Sequence, residues 1–153
     1  SSLYGIHYFV FSPLYDWAGK RRNYPLSKGQ HSFMDYHFLD QGEEYINSLL
    51  SSAKTKDKLD PLDYAELLDS INDLHPFREG NGRSSKLMIQ TVAIDHHQVI
   101  DYSRNSVEMI KALEKADIKT LSKQIHLETT ESADKAKEIL LQRRRVALRG
   151  LER

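Results

Sequence analysis

"DLHPFREGNGRSSK", residues 73–86, is the stretch on which the reading of this chain turns. It packs a histidine, two arginines, acidic side chains and an asparagine between two glycines into a place where two helices meet. Gly80 and Gly82 lack Cβ atoms, so the backbone there can take positive φ and approach a ligand closely. With Asn81 between them, successive N–H groups can point into one concavity and form an anion nest. A helix expected from about Arg83 turns its unpaired N–H groups and positive dipole end towards the same spot. Arg83 adds a planar fork suited to phosphate oxygens. Glu79 beside that concavity would repel phosphates unless a cation lay between, and Mg²⁺ suits a site with few protein carboxylates. His75 just before the nest has the chemistry of a base near neutral pH. Pro76 pre-sets the backbone and Phe77 can anchor the loop in the core. A glycine turn or a lone histidine is ordinarily structural. Their ordered succession instead specifies a nucleotide site where a hydroxyl attacks phosphorus, with catalysis by positioning and charge stabilisation.

Working outward, the chain reads as nearly all helix. Before the motif, Asp60-Pro61 is an N-cap followed by proline at the first helical position. Leu62, Ala65, Leu68 and Ile71 carry that helix to the motif. After it, residues 84–97 are apolar on more than one face, the pattern of a buried central helix. Residues 35–52 set Phe38, Leu39, Gly42, Tyr45, Ile46, Leu49 and Leu50 on one helical face. Further on, Ser103 or Asn105 caps a helix with Val107, Ile110 and Leu113 inward. Asp117 caps another with Ile118, Leu121 and Ile125, and Thr130 or Ser132 starts a last helix ending in a basic tail. Residues 3–11 fit a short helix or a strand. Residues 18–33, punctuated by Gly19, Pro25 and Gly29, fit a loop or small hairpin.

Composition bounds the function. With 153 residues the chain is expected to form one domain, a core over about 3–126 followed by a helix over about 131–149. Twenty-two basic and 22 acidic side chains cancel, so no global field favours nucleic acid or an anionic membrane. The absence of cysteine excludes disulfides, a thiol nucleophile and Cys-ligated zinc. No apolar run approaches a membrane span or a signal peptide. The chain opens on Ser1-Ser2 without an initiator Met, so flanking segments are expected. His96 and His97 are adjacent, so on a helix they point about 100° apart and do not read as a metal pair.

Residues 75–83, HPFREGNGR, match the signature HPFx(D/E)GNGR of the Fic family at every fixed position. The resemblance extends further. "IHYFVFSPLYDWAGKRR" (6–22) looks like the family's first core segment, which typically ends in a D-W-A-G-like turn and a basic residue. "YPLSKGQHSF" (24–33) resembles its flap, a β-hairpin over the active site. The likeness covers most of residues 3–126. It implies an all-α domain with a small hairpin flap that transfers AMP from ATP to a Ser, Thr or Tyr hydroxyl of a target protein. On that likeness His75 is the general base, Glu79 holds Mg²⁺, Gly80, Asn81 and Gly82 form the anion hole, and Arg83 contacts phosphates. Tyr24, Pro25, Leu26, Ser27, Lys28, Gly29, Gln30, His31, Ser32 and Phe33 would dock the target by strand addition. Tyr102 and Asn105 fall near the expected place of the nucleotide base.

Two departures stand out. Many relatives continue to GRxxR, with a second arginine for the γ-phosphate; here Lys86 keeps the charge without the fork. Many are restrained by a glutamate in an (S/T)xxxE(G/N) helix, and no Ser or Thr here has Glu four residues on. The inhibitory helix is then expected on a separate partner protein, on a segment outside these residues or nowhere, so a separate inhibitory protein is a candidate partner beside the docked target. The resemblance also implies a toxin or effector, in the bacterial cytoplasm or delivered into a host cell's cytoplasm. Two alternatives remain open: transfer of phosphate or another phosphate-linked group, and a non-catalytic nucleotide-dependent binding module.

Overall fold

The computed structural model describes residues 2–102 and 106–151. Asp60 and Asp63 form a reciprocal capping box, with Pro61 at the first position, and start α3 (Pro61–Leu74) where the sequence predicts it. This helix is the axis of the fold. It buries Tyr64, Ala65, Leu67, Leu68, Ile71 and Leu74 and packs against α2 (Leu39–Lys54), α4 (Asn81–Asp95) and α6 (Ile118–Ser122). Helix α1 (Leu3–Phe11) lies on α4 and resolves the helix-or-strand ambiguity of residues 3–11. Ser2 caps it by accepting from Gly5 N–H.

The punctuated segment 18–33 contains the expected hairpin, β1 (Ser27–Lys28) and β2 (His31–Ser32), paired antiparallel around Gly29 in a positive-φ turn. Helix α2 starts later than the periodicity suggests. Asp35 caps a 3₁₀ turn over Tyr36–Phe38, and α2 follows at Leu39. Phe38 and Tyr45, predicted to face inward, are about half exposed, and Tyr45 donates its hydroxyl to Glu66. Leu39, Gly42, Ile46 and Ala53 make the buried stripe there.

The structure departs most from the helical expectation after α4. Gln98–Tyr102 (β3) and Ile125–Thr129 (β4) form a second antiparallel ribbon, with Ile100 opposite Leu127. Ile125, predicted to extend a helix, belongs to β4 because α6 ends at Ser122. Gln98, Val99 and Ile100 are buried in succession, so that end of β3 is covered on both faces, and the β-branched Val99 and Ile100 suit a strand. Two buried glutamines fasten the ribbon. Gln90 donates to Ile100 O at 2.7 Å and accepts from Ile100 N–H at 3.1 Å. Gln98 donates to Leu59 O and accepts the Tyr64 hydroxyl at 2.7 Å. Helix α5 (Ser106–Glu114) buries Met109 and Ala112, not the predicted Val107 and Ile110, which are exposed. Helix α7 (Ala133–Leu151) packs on β3 and α4. His96 places its ring nitrogens against Val92 O and Ala53 O, which joins α4 to α2. Among the described residues, no helix is long and apolar enough to cross a membrane.

Candidate active site

His75 is the C-cap of α3 and sits in the left-handed region, φ 41° and ψ 60°. Proline follows it, as often happens where a helix must stop. Its Nδ1 lies 3.0 Å from Asn72 O. A carbonyl only accepts, so Nδ1 carries the proton and Nε2 keeps its lone pair. The ring of Phe33 stacks on the imidazole at 3.5 Å and 6°. Burial is the main reason that the His75 pKa falls from 6.5 to about 4. The bond to Asn72 opposes the fall, and the charges of Arg22 and Lys28 add to it. The free chain thus holds a neutral imidazole at physiological pH.

The glycine segment turns directly into α4, which begins at Asn81, two residues before the expected start. Gly80 is its N-cap with φ 80° and ψ 10°. A Cβ there would come within 2.5 Å of the Phe11 ring, so glycine is required by both conformation and space. The Asn81 side chain turns inward: it donates to Phe77 O at 2.8 Å and accepts from Phe77 N–H at 2.9 Å. Any anion binding at Asn81 therefore falls to its main chain. Ser84 N–H is met by Gly80 O at 3.1 Å. The N–H groups of Asn81, Gly82 and Arg83 are those that a helix start leaves without an intrahelical acceptor. Gly82 leaves open space where a side chain would stand.

His7 was not foreseen as part of this site. It is fully buried and stacks on Phe77 at 3.7 Å. Its Nδ1 accepts from Gly19 N–H at 2.8 Å, so Nε2 carries the proton and donates to Glu79 O at 2.8 Å. One imidazole thereby latches the DWAG turn and the motif loop together. Burial lowers its pKa, in keeping with a neutral ring. A histidine inside the apolar run IHYFVF was the available signal. The Glu79 carboxylate stays on the rim, with the Tyr15 hydroxyl at 3.4 Å. Among the described residues it has no cationic partner, and no cluster of three metal-ligating side chains exists.

A cleft of about 460 Å³ opens between the motif, the flap and α5. The motif contributes His75, Glu79, Gly80, Asn81, Gly82 and Lys86; the flap contributes Lys28, His31 and Phe33; α5 contributes Met109, Ile110 and Leu113. Ile110 faces outward from the core because it faces this cleft. Tyr24, Pro25, Leu26, Ser27, Gly29, Gln30 and Ser32 form the rest of the flap without lining the cleft. Arg83 does not line the cleft; its guanidinium lies over the Phe11 ring at 4.7 Å. The Lys86 ammonium rests over Tyr102 at 5.3 Å. Asn105 lies outside the described residues. A larger groove of about 610 Å³ shares His31, Leu113 and Glu114 with this cleft and is also lined by Glu66, Asp69 and Asp73. Its carboxylates repel phosphates, so the smaller cleft is the nucleotide candidate.

The model of the Fic/DOC family matches residues 1–93. Protein adenylyltransferase VbhT of Bartonella schoenbuchensis is 31% identical over 103 residues, which cover 65% of this chain and 22% of that protein. The probable protein adenylyltransferase y4lH of Sinorhizobium fredii is 30% identical over 92 residues, 55% of this chain and 46% of that one. The chain thus spans less than half the length of either relative. The N-terminal Fic domain of a putative cell filamentation protein from Bartonella quintana, solved with bound ADP, has the same fold. It superposes with a TM-score of 0.73 at 17% identity, over 86% of this chain and 73% of that one. With the signature intact, the family matched over more than half the chain and the fold shared, this chain belongs to the Fic/DOC family.

Proposed function

We propose that this chain is the catalytic domain of a protein adenylyltransferase, which moves AMP from ATP to a Ser, Thr or Tyr hydroxyl of a target protein. One observation carries the reading. His75, with its Nε2 lone pair available, shares a cleft with the unpaired N–H groups at the start of α4. The names of the curated relatives supply the reaction type. ATP would lay its phosphates on the N–H groups of Asn81, Gly82 and Arg83, with the Arg83 guanidinium swung from Phe11 onto them. The nucleoside would lie against Met109, Ile110 and Leu113.

The target hydroxyl gives its proton to His75 Nε2 as its oxygen bonds to the α-phosphorus. The bond from that phosphorus to the bridging oxygen breaks, and pyrophosphate leaves with the electron pair. Nε2 then returns its proton to solvent. The arriving phosphates raise the depressed His75 pKa towards the working range, because nearby negative charge favours the imidazolium. Glu79 lines the cleft with no cationic partner among the described residues, and it would hold Mg²⁺ there. When bound, that ion would neutralise charge on the phosphates. Lys86 would serve the γ-phosphate by leaving Tyr102. The flap would register an extended target segment beside His75. These residues lack the glutamate pattern, so any restraint of that kind would come from outside them, on a separate inhibitory protein or on a further segment. The whole protein would act as a toxin or effector, in the bacterial cytoplasm or in that of a host cell.

The test uses ATP labelled at the α- or the γ-phosphate, with Mg²⁺ and a lysate of candidate targets. Transfer of the α-label alone is expected. Transfer of the γ-label would move the reading to phosphate transfer, and binding without either label would leave a binding module. His75→Ala should lower α-label transfer by about 10²–10⁴-fold while ATP binding persists.

A further inference from the structure

We propose that Arg22 is a positioning residue that ties the flap to the general base, so that a docked target strand and the His75 imidazole share one rigid frame. The inference rests on the reading of His75 as base and of the flap as target dock. Arg22 is the last of the basic run Lys20-Arg21-Arg22 and is 4% exposed. Its guanidinium donates to four main-chain carbonyls drawn from three segments. Nε reaches His75 O at 2.7 Å, and one terminal nitrogen reaches Tyr24 O at 3.0 Å. The other reaches Leu74 O at 3.2 Å and also Met34 O.

These acceptors are the last turn of α3, the base itself and both ends of the flap. Main-chain bonds follow the same line: Arg22 N–H donates to Pro76 O at 2.8 Å, and Met34 N–H donates to Asp73 O at 2.9 Å. The flap has little else to hold it, because its two strands are two residues each and mostly exposed. Phe33, the neighbour of Met34, stacks on His75, so fixing Met34 also fixes that stack. His75 has an uncommon left-handed backbone, and the bond from Arg22 to its carbonyl holds that peptide in place.

The choice of arginine supports a geometric role. Among the described residues no carboxylate pairs with Arg22, so a full charge is buried on carbonyl oxygens alone. Burying a cation this way is costly and is a poor means of adding stability. What the planar fork adds is four donors in fixed directions, which no lysine offers. Arg22 does not line the cleft and touches no reacting group, so it acts through His75 and Phe33.

The test compares the intact chain with Arg22→Met and Arg22→Lys, and needs no target. Amide hydrogen exchange is followed along the chain, and the His75 imidazole is titrated by NMR. In Arg22→Met, flap amides over 26–33 should exchange at least about tenfold faster, while amides of α4 and β3 stay as they were. The His75 midpoint should move up from about 4 towards 6.5 as the Phe33 cover loosens. Arg22→Lys should fold and show a smaller change of the same sign. The proposal is overturned if both variants keep native flap exchange and the native His75 midpoint. It is also overturned if exchange rises uniformly over the whole chain of Arg22→Lys, which is the signature of stability alone. Transfer of α-label onto the chain or a target is measured beside these. Its absence from the unaltered chain would count against the adenylyltransferase reading and leave the exchange result standing.

Discussion

The two ribbons of this protein have the same topology and opposite supports. The ribbon β3–β4 has five residues in each strand, buries Val99, Ile100 and Ile125, and is fastened by Gln90 and Gln98. The ribbon β1–β2 has two residues in each strand and buries none of them. It is held at its base by Arg22 and on one face by Phe33 on His75. The first belongs to the core that carries α4, and the second stands over chemistry. On the proposed reading the flap accepts a target strand, and a ribbon that accepts another chain cannot be covered by its own, so its order has to come from its ends.

Val99→Asp should have the largest effect of the changes that separate the two. Val99 is fully buried, and a carboxylate there has no partner. The loss should be about 3–5 kcal/mol, seen as collapse of the denaturant midpoint. A flap substitution with a comparable loss would erase the distinction between core ribbon and working ribbon.

Acid should act next, through the site. The folded chain depresses His75 to about 4, so between pH 6.5 and 4 the unfolded chain binds more protons. Stability should therefore fall as pH drops through that window, by about 2–3 kcal/mol, and should be level above it. Burial depresses His7 too, which adds with the same sign. Phe33→Ala uncovers His75, so its stability curve should flatten over the same range while thermal melts at pH 7 change little. A slope unchanged by Phe33→Ala would show that the flap does not cover the base.

The smallest effect on stability belongs to the flap edges. Phe33 N–H donates to Leu26 O at 3.1 Å, just outside the Ser27–Ser32 pair. In an antiparallel ladder that makes Ser27 and Ser32 a non-hydrogen-bonded pair, with their own N–H groups pointing away from each other. Proline at either position removes an outward donor and no ladder bond. Ser27→Pro and Ser32→Pro should each change stability by less than about 1 kcal/mol. One of them, on the edge that receives the target, should lower α-label transfer about tenfold with ATP affinity intact. Equal transfer by both variants would argue against strand addition.

The candidate site was legible because its chemistry is contiguous. His75 to Arg83 needs only a helix end, a tight turn and a helix start, and each is set by neighbours in sequence. The Asp60-Pro61 start of α3 and the Gly29 turn of the flap were legible for the same reason. Periodicity misjudged α5, since a helix that lines a cleft shows apolar residues on two faces, and only packing separates Met109 from Ile110. It missed β3 and β4 because their pairing joins residues far apart in the chain.

What the sequence determined by itself is thus the family signature, the order of the candidate site groups and the helical class. Tertiary structure decided which nitrogen of His75 is free, which way Asn81 turns, and that His7 and Arg22 lock the site from a distant segment. The physical reason is range. A local conformation follows from neighbouring residues, whereas a hydrogen bond from Arg22 to His75 exists only after the fold has brought them together.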